Sequence, residues 1–221
     1  KIGNKESIVH VIDQCLKIKN FHNILLATSY LKSDKLLVKL LKKKYKNKIQ
    51  YILGHPQDIV QRILKGSKKY SIDTAVRVTG DCPVISPEII NFLIKKHNKT
   101  NSDFTYAKNF AVGTSAEIYS VGSLQHIKNK TKKASYSEYL PFYYLNNFSH
   151  FKINKCDLPE KYIAKFRLTL DYSKDLIFFN KLFEKLKLEK KPPTIINILK
   201  ILRKNQHIAK INKHIKLNYT K

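Results

Sequence analysis

Apolar residues recur along this chain with two different periods. In "ESIVHVIDQCLKI" (6–18), Ile8, Val11, Ile12, Cys15 and Leu16 fall at helical spacing. "NILLATS" (23–29) is a short unbroken apolar run, the pattern of a strand buried in a parallel sheet. An amphipathic helix is predicted over 33–47 with Ser33 as its N-cap, then a strand over 48–54. A helix over 56–70, with Pro56 near its first turn, and a strand over 73–80 come next. "SPEIINFLIKKHNK" (86–99) predicts a helix with Ser86 as N-cap, Pro87 at the first helical position and Glu88 in the first turn. Strands alternating with helices at this spacing predict βαβ units and an α/β fold with a mostly parallel, doubly wound sheet.

The second half mixes the periods. Strands are predicted at 103–108, 114–120, 150–154 and 165–171, and helices at 136–147, 173–188 and 193–205. No internal repeat or low-complexity linker divides the 221 residues. A single α/β domain is therefore expected, with a β-rich excursion over 103–155.

Composition narrows the function classes. At 43% hydrophobic residues the chain can bury a sizeable core, which argues against disorder. No apolar run approaches the roughly 18 residues of a membrane span. The opening "KIGNKESIVHVIDQ" has no signal-peptide hydrophobic stretch, so a cytoplasmic location is expected and membrane partners are not. Cys15, Cys82 and Cys156 form no CxxC pair, which supports neither a disulfide framework nor a zinc site. The formal charge of +27 points to nucleic acid, but Arg occurs only at 62, 77, 167 and 203. Arg, with its bidentate fork, is the residue that nucleic-acid readers use heavily. A solvated Lys-rich surface is the favoured reading, and it would draw in small polyanions.

Candidate chemistry lies where strands end. In open parallel sheets, ligands sit beyond the carboxyl ends of the strands. Asp81 follows the strand 73–80, and Gly80 beside it lets the backbone come close to a ligand. Asp171 closes "RLTLD" in the same way. Each aspartate could instead serve a turn or a helix cap, with Asp171 or Ser173 as N-cap and Asp175 in the first turn. Two carboxylates on one sheet edge also suit Mg²⁺, which takes one or two carboxylates and completes its shell with phosphate and water.

The segment "VRVTGDCPVISPEII" (76–90) resembles the signature of the cytidylyltransferases of spore coat polysaccharide type, relatives of the enzymes that make CMP-KDO and CMP-sialic acid. "ILGHPQDIVQRI", "TSAEIYS", "SEYLPFYYLNN" and "RLTLDYSKDL" resemble further segments of that family in the same order. The resemblance implies a Rossmann-like nucleotide-diphospho-sugar transferase fold. It implies CMP transfer from CTP to a sugar acid with release of pyrophosphate, for surface polysaccharide. By resemblance Asp81 and Asp171 hold Mg²⁺, and Asp58, Arg62 and Gly80 lie at the nucleotide. Glu117, Glu138 and Arg167 lie at the sugar acid, with Arg167 pairing its carboxylate. Arg167 could equally form an ion pair within the fold, Arg62 a surface charge, and Glu117 and Glu138 structural hydrogen bonds. A homodimer through the excursion is implied as well.

The chain departs from the family pattern in three ways. Ser115 stands where the family has Asp, and Tyr139 where many members have His. The family's opening strand and basic, Gly-containing triphosphate loop have no match, and with no Met anywhere, an N-terminus upstream of Lys1 is expected. Two rival readings are a sheet domain that kept the fold and lost catalysis, and a Lys-rich nucleic-acid binder.

Overall fold

A computed structural model of the protein describes residues 1–19, 21–131 and 139–215. Helix α1 (Ser7–Cys15) leads into strand β1 (Leu25–Ser29), and helix α2 (Lys32–Tyr45) crosses to strand β2 (Gln50–Gly54). The strands pair in parallel, Leu25 opposite Gln50 and Ser29 opposite Gly54, as a βαβ unit requires. Helix α3 (Ile59–Tyr70) returns the chain to β3 (Thr74–Arg77), and α4 (Pro87–Thr100) follows. The α4 start is as the sequence predicts: Ser86 Oγ accepts from Ile89 N at 3.2 Å, with Pro87 in the first turn.

Strand β4 (Phe104–Lys108), strand β5 (Glu117–Ser120), helix α5 (Val121–Lys130), helix α6 (Leu140–Asn146) and strand β6 (Ile153–Asp157) make up the excursion. They complete a four-stranded sheet in the order β3-β5-β4-β6, in which β4 and β6 are parallel and β5 is antiparallel to both its neighbours. Helices α7 (Ser173–Leu188), α8 (Ile195–Lys204) and α9 (Gln206–Ala209) end the described chain. The architecture is α/β with parallel sheet elements. Its largest core joins Phe178, Phe179 and Leu182 of α7 and Ile198 and Leu202 of α8 to Ile89 and Leu93 of α4, Ile118 of β5 and Leu168.

Several expectations need correction. Residues 165–171 form no strand. Leu168 N donates to Val112 O at 2.7 Å and Val112 N to Phe166 O at 2.9 Å, but Leu170 N turns to Asp81 O at 2.8 Å. The extended segment thus divides its hydrogen bonds between two loops, and no ladder grows. Strand β1 is only half-buried, with Ala27 exposed, because among the described residues it pairs on one edge only, with β2. Ser33 lies inside α2, whose N-cap is Leu31, and α3 starts at Ile59 because Asp58 caps it. Helix α5 stands where no helix was expected, and part of the 136–147 prediction lies outside the described residues.

Gly113 fixes how the extended segment sits. Its φ is +89°, and a Cβ there would lie 2.1 Å from Leu168 O. Only glycine lets the 110–114 loop lie against the backbone of Leu168, and that contact places Thr169 and Asp171.

Candidate active site

Strand β3 stops at Arg77, and the chain enters the turn Gly80–Pro83, where Cys82 N donates to Thr79 O at 3.3 Å. The Cys82 thiol is buried, and burial, aided by the neighbouring Asp81 carboxylate, pushes it far above the usual thiol range. It stays protonated and donates to Asp81 Oδ1 at 3.4 Å. The backbone carbonyl of Asp81 accepts from Leu170, so the turn is tied to the extended segment. Gly80 is exposed and adopts no left-handed conformation. A Cβ there would stand 3.3 Å from Ile8 Cδ1, so its small size serves a close approach to α1.

That tie brings the two predicted aspartates together. Thr169 Oγ1 lies 3.2 Å from Asp81 Oδ2 and 3.3 Å from Asp171 Oδ2. The two carboxylate oxygens are therefore separated by no more than the sum of those distances. A hydroxyl carries one proton, so it satisfies only one of them at a time. Asp81 is half-buried and Asp171 is exposed, so both face solvent. Two converging carboxylates, of which Asp171 Oδ2 also accepts from Arg167 Nη2, make an oxygen-rich corner able to accept a cation. Among the described residues no group of three or more His, Cys, Asp or Glu is arranged to hold a metal ion, so this corner offers two carboxylates and no more.

Behind the corner lies a buried charge network. Arg167 is 8% exposed and Asp175 0%. Arg167 Nε and Nη2 donate to Asp175 Oδ1 and Oδ2 at 2.9 and 3.0 Å, a bidentate pair, and Nη2 also donates to Asp171 Oδ2 at 2.5 Å. Burial alone would raise the Asp175 pKa. Hydrogen bonds from Arg167, Asn212 and the backbone of Asp171 and Tyr172 outweigh it and hold the carboxyl below its ordinary range. The same pairing with Asp175 raises the Arg167 pKa further.

The other predicted side chains that the structure describes are engaged in contacts of their own. Asp58, 5% exposed, accepts from Gln61 N at 2.8 Å as the α3 cap and from Lys128 Nζ at 2.6 Å. Arg62 Nη1 donates to the carbonyls of His55 and Pro56 at 2.5 and 2.7 Å, which braces the loop after β2. Its buried Nε has no hydrogen-bond partner. Glu117 Oε2 accepts from Arg77 Nη1 at 2.5 Å and from the buried Tyr119 hydroxyl at 2.7 Å. Glu138 lies outside the described residues. Thr169, Asn212 and Arg77 went unpredicted. Thr169 and Arg77 each alternate with apolar neighbours and read as ordinary strand positions. Asn212 lies far along the chain with no motif around it.

No described helix is long and apolar enough to cross a membrane. The fold and sequence can be set beside known proteins. The chain superposes on a cytidylyltransferase from Leptospira borgpetersenii with a TM-score of 0.84 at 21% identity, over 99% of this chain and 90% of that one. It superposes on a CMP:2-keto-3-deoxy-manno-octonic acid synthetase complexed with CTP with a TM-score of 0.61 at 14% identity, over 84% of this chain and 90% of that one. These likenesses show a shared fold. The spore coat polysaccharide biosynthesis protein SpsF of Bacillus subtilis is 25% identical over 169 residues, 76% of this chain and 69% of that protein. The family model described as cytidylyltransferase matches residues 1–213. With nearly the whole chain inside that match, and its fold shared with solved cytidylyltransferases, the chain belongs to the cytidylyltransferase family.

Proposed function

We propose that the protein transfers CMP from CTP to a sugar acid of the ulosonic type, with release of pyrophosphate, for surface polysaccharide. The observation that carries this reading is the convergence of the Asp81 and Asp171 carboxylates on Thr169 beyond β3. Family membership supports the nucleotidyl transfer. Two similar proteins, one of spore coat polysaccharide biosynthesis and one a CMP-sugar-acid synthetase, support the acceptor class.

The reaction is an in-line displacement. The sugar hydroxyl attacks the α-phosphate of CTP, a new P–O bond forms, and pyrophosphate leaves. Such transfers draw most of their rate from positioning and charge neutralisation. The donor set at the corner fits Mg²⁺, which binds oxygen and uses one or two carboxylates, so Asp81 and Asp171 would hold it. When bound, it supplies neutralisation of the phosphate oxygens.

The chain's own groups do the rest. Cys82 and Thr169 hold Asp81 in place. Exposed Gly80 leaves the nucleotide room to approach that carboxylate. Glu117 is fixed through Oε2 by Arg77 and Tyr119, and its other carboxylate oxygen would serve a sugar hydroxyl. Glu138 belongs on the sugar side by its resemblance. Asp58 and Arg62 act at one remove by shaping the loop after β2 and the start of α3. Arg167 pairs with Asp175 and Asp171 through Nε and Nη2 and so supports Asp171, while its buried Nη1 has no hydrogen-bond partner among the described residues and is the donor left for the sugar carboxylate. A cytoplasmic homodimer is part of the same proposal.

The test is pyrophosphate release from CTP, UTP, GTP and ATP with a panel of 2-keto-3-deoxy sugar acids. Release is expected only with CTP and an acid of that class. Release with a neutral sugar alone would overturn the acceptor assignment, and release with another nucleotide would overturn the base assignment.

A further inference from the structure

Asp175 is saturated. Its Oδ1 accepts from Arg167 Nε at 2.9 Å and Asn212 Nδ2 at 2.8 Å. Its Oδ2 accepts from Arg167 Nη2, Asp171 N and Tyr172 N, each at 3.0 Å. A carboxylate offers about four lone-pair sites, so none remains for a ligand. Asp175 is also wholly buried. Its work must therefore be done through its partners.

Arg167 passes that work on. A guanidinium is planar, and its N–H groups point in fixed directions. Once Asp175 grips Nε and one Nη2 hydrogen, the second Nη2 hydrogen has a fixed direction, and it meets Asp171 Oδ2. Asp175 also holds the backbone N–H of Asp171 itself. Side chain and main chain of Asp171 are thus fixed from one buried point.

Four of these five hydrogen bonds come from residues 167–172. The fifth comes from Asn212, 37 positions along the chain from Asp175 and 1% exposed. The same Asn212 amide donates to Arg167 O at 3.2 Å. It therefore ties the Asp175 carboxylate to the main chain of Arg167. The turn that carries it is anchored by Ile208 and Ala209, which pack in the core shared with Leu168 and Phe178.

We infer that Asn212 is a positioning residue: through Asp175 and Arg167 it sets the orientation of the Asp171 carboxylate, and so couples the C-terminal turn to cation binding at the Asp81–Asp171 corner. This rests on the proposed role of Asp171. It predicts that cation affinity depends on the hydrogen-bond donor at 212, beyond the effect of that residue on packing.

The experiment is a Mn²⁺ titration in the presence of CTP, followed by water-proton relaxation. It compares the protein with Asn212→Ala, Asn212→Asp and Asp171→Asn, and records a melting curve for each. Asn212→Asp keeps the shape, removes the donor and sets a second carboxylate against Asp175. Groups that orient metal ligands typically change metal affinity by roughly 10- to 100-fold. Both Asn212 variants are expected to weaken Mn²⁺ binding by that factor while still melting cooperatively, with Asn212→Asp the weaker binder. Affinities equal to the wild type, with only the melting temperature lowered, would assign Asn212 to packing and overturn the inference. Should one variant fail to fold, the other decides by the same comparison. Absence of Mn²⁺ binding by the wild type would sink the metal role of Asp171 instead, and with it this coupling.

Discussion

Two regions of this molecule place an acid and an arginine beside the carboxyl end of a strand, and they use them in opposite ways. After β2, Asp58 caps α3 and pairs with Lys128, and Arg62 braces the backbone of the loop. Both side chains are engaged locally, although the buried Arg62 Nε has no hydrogen-bond partner among the described residues. After β3, the buried pair Arg167–Asp175 consumes its own charge, and a second acid, Asp171, is held at its rim facing solvent. The first region shows charge spent on building a helix start. The second shows buried charge spent on aiming an exposed carboxylate. Proximity of acid and base to a strand end therefore does not make a site. What sets the second region apart is a carboxylate, Asp171, that stays exposed after its internal pairs are formed.

The comparison can be broken by substitution. The largest effect is expected at Asp175→Ala. It leaves the buried guanidinium of Arg167 with only the exposed Asp171, and removing one partner of a buried ion pair costs about 3–5 kcal/mol. Urea denaturation measures it, and an unchanged midpoint would mean the network is not the anchor described above. The same carboxyl sets an acid limit. Its folded pKa lies below the ordinary value of about 3.9, so its contribution is fully present above that pH and is lost as pH falls below it. Melting temperature against pH should turn down there in the wild type and less steeply in Asp175→Asn.

Asp171→Asn and Asp81→Asn are expected to keep the fold and lower turnover on the order of 10³-fold, about 4 kcal/mol in barrier. Pyrophosphate release measures this. Gly113→Ala comes next. Its Cβ would meet the Leu168 carbonyl at φ +89°, and strain of this kind costs roughly 1–3 kcal/mol. It should lower stability and turnover together, since the loop it disturbs carries the segment to Thr169 and Asp171. Smallest is Asp58→Ala, which removes one N-cap worth about 1 kcal/mol and a partly exposed ion pair worth less. Calorimetric melting should show that loss with near-normal turnover.

Much of this was readable in advance, for reasons that are local. Ser86 and Pro87 announce α4 because capping depends on a few adjacent residues. Asp81 and Asp171 were expected at two strand ends, but no strand forms over 165–171, and the tie of Leu170 to Asp81 is what brings both carboxylates to Thr169. What could not be read depends on distant pairing. Whether 165–171 ladders or divides its bonds depends on Gly113 and Asp81, more than 50 and 80 positions away respectively by the sequence numbering. The pairing of Asp58 with Lys128, 70 positions along the chain, has no local signal either. Helix α5 escaped notice because Leu124 and Ile127 are its only fully buried apolar residues, too few to set a period. Asn212 gives no local signal at all, and only the folded chain brings it to Asp175.

The most direct measurement is pyrophosphate release from CTP and a 2-keto-3-deoxy sugar acid by Asp171→Asn and Asp58→Asn side by side, matched for folded fraction. The account predicts a loss on the order of 10³-fold for Asp171→Asn and a rate close to wild type for Asp58→Asn. A normal rate in Asp171→Asn, or a comparable collapse in Asp58→Asn, would contradict the assignment of the chemistry to the Asp81–Asp171 corner.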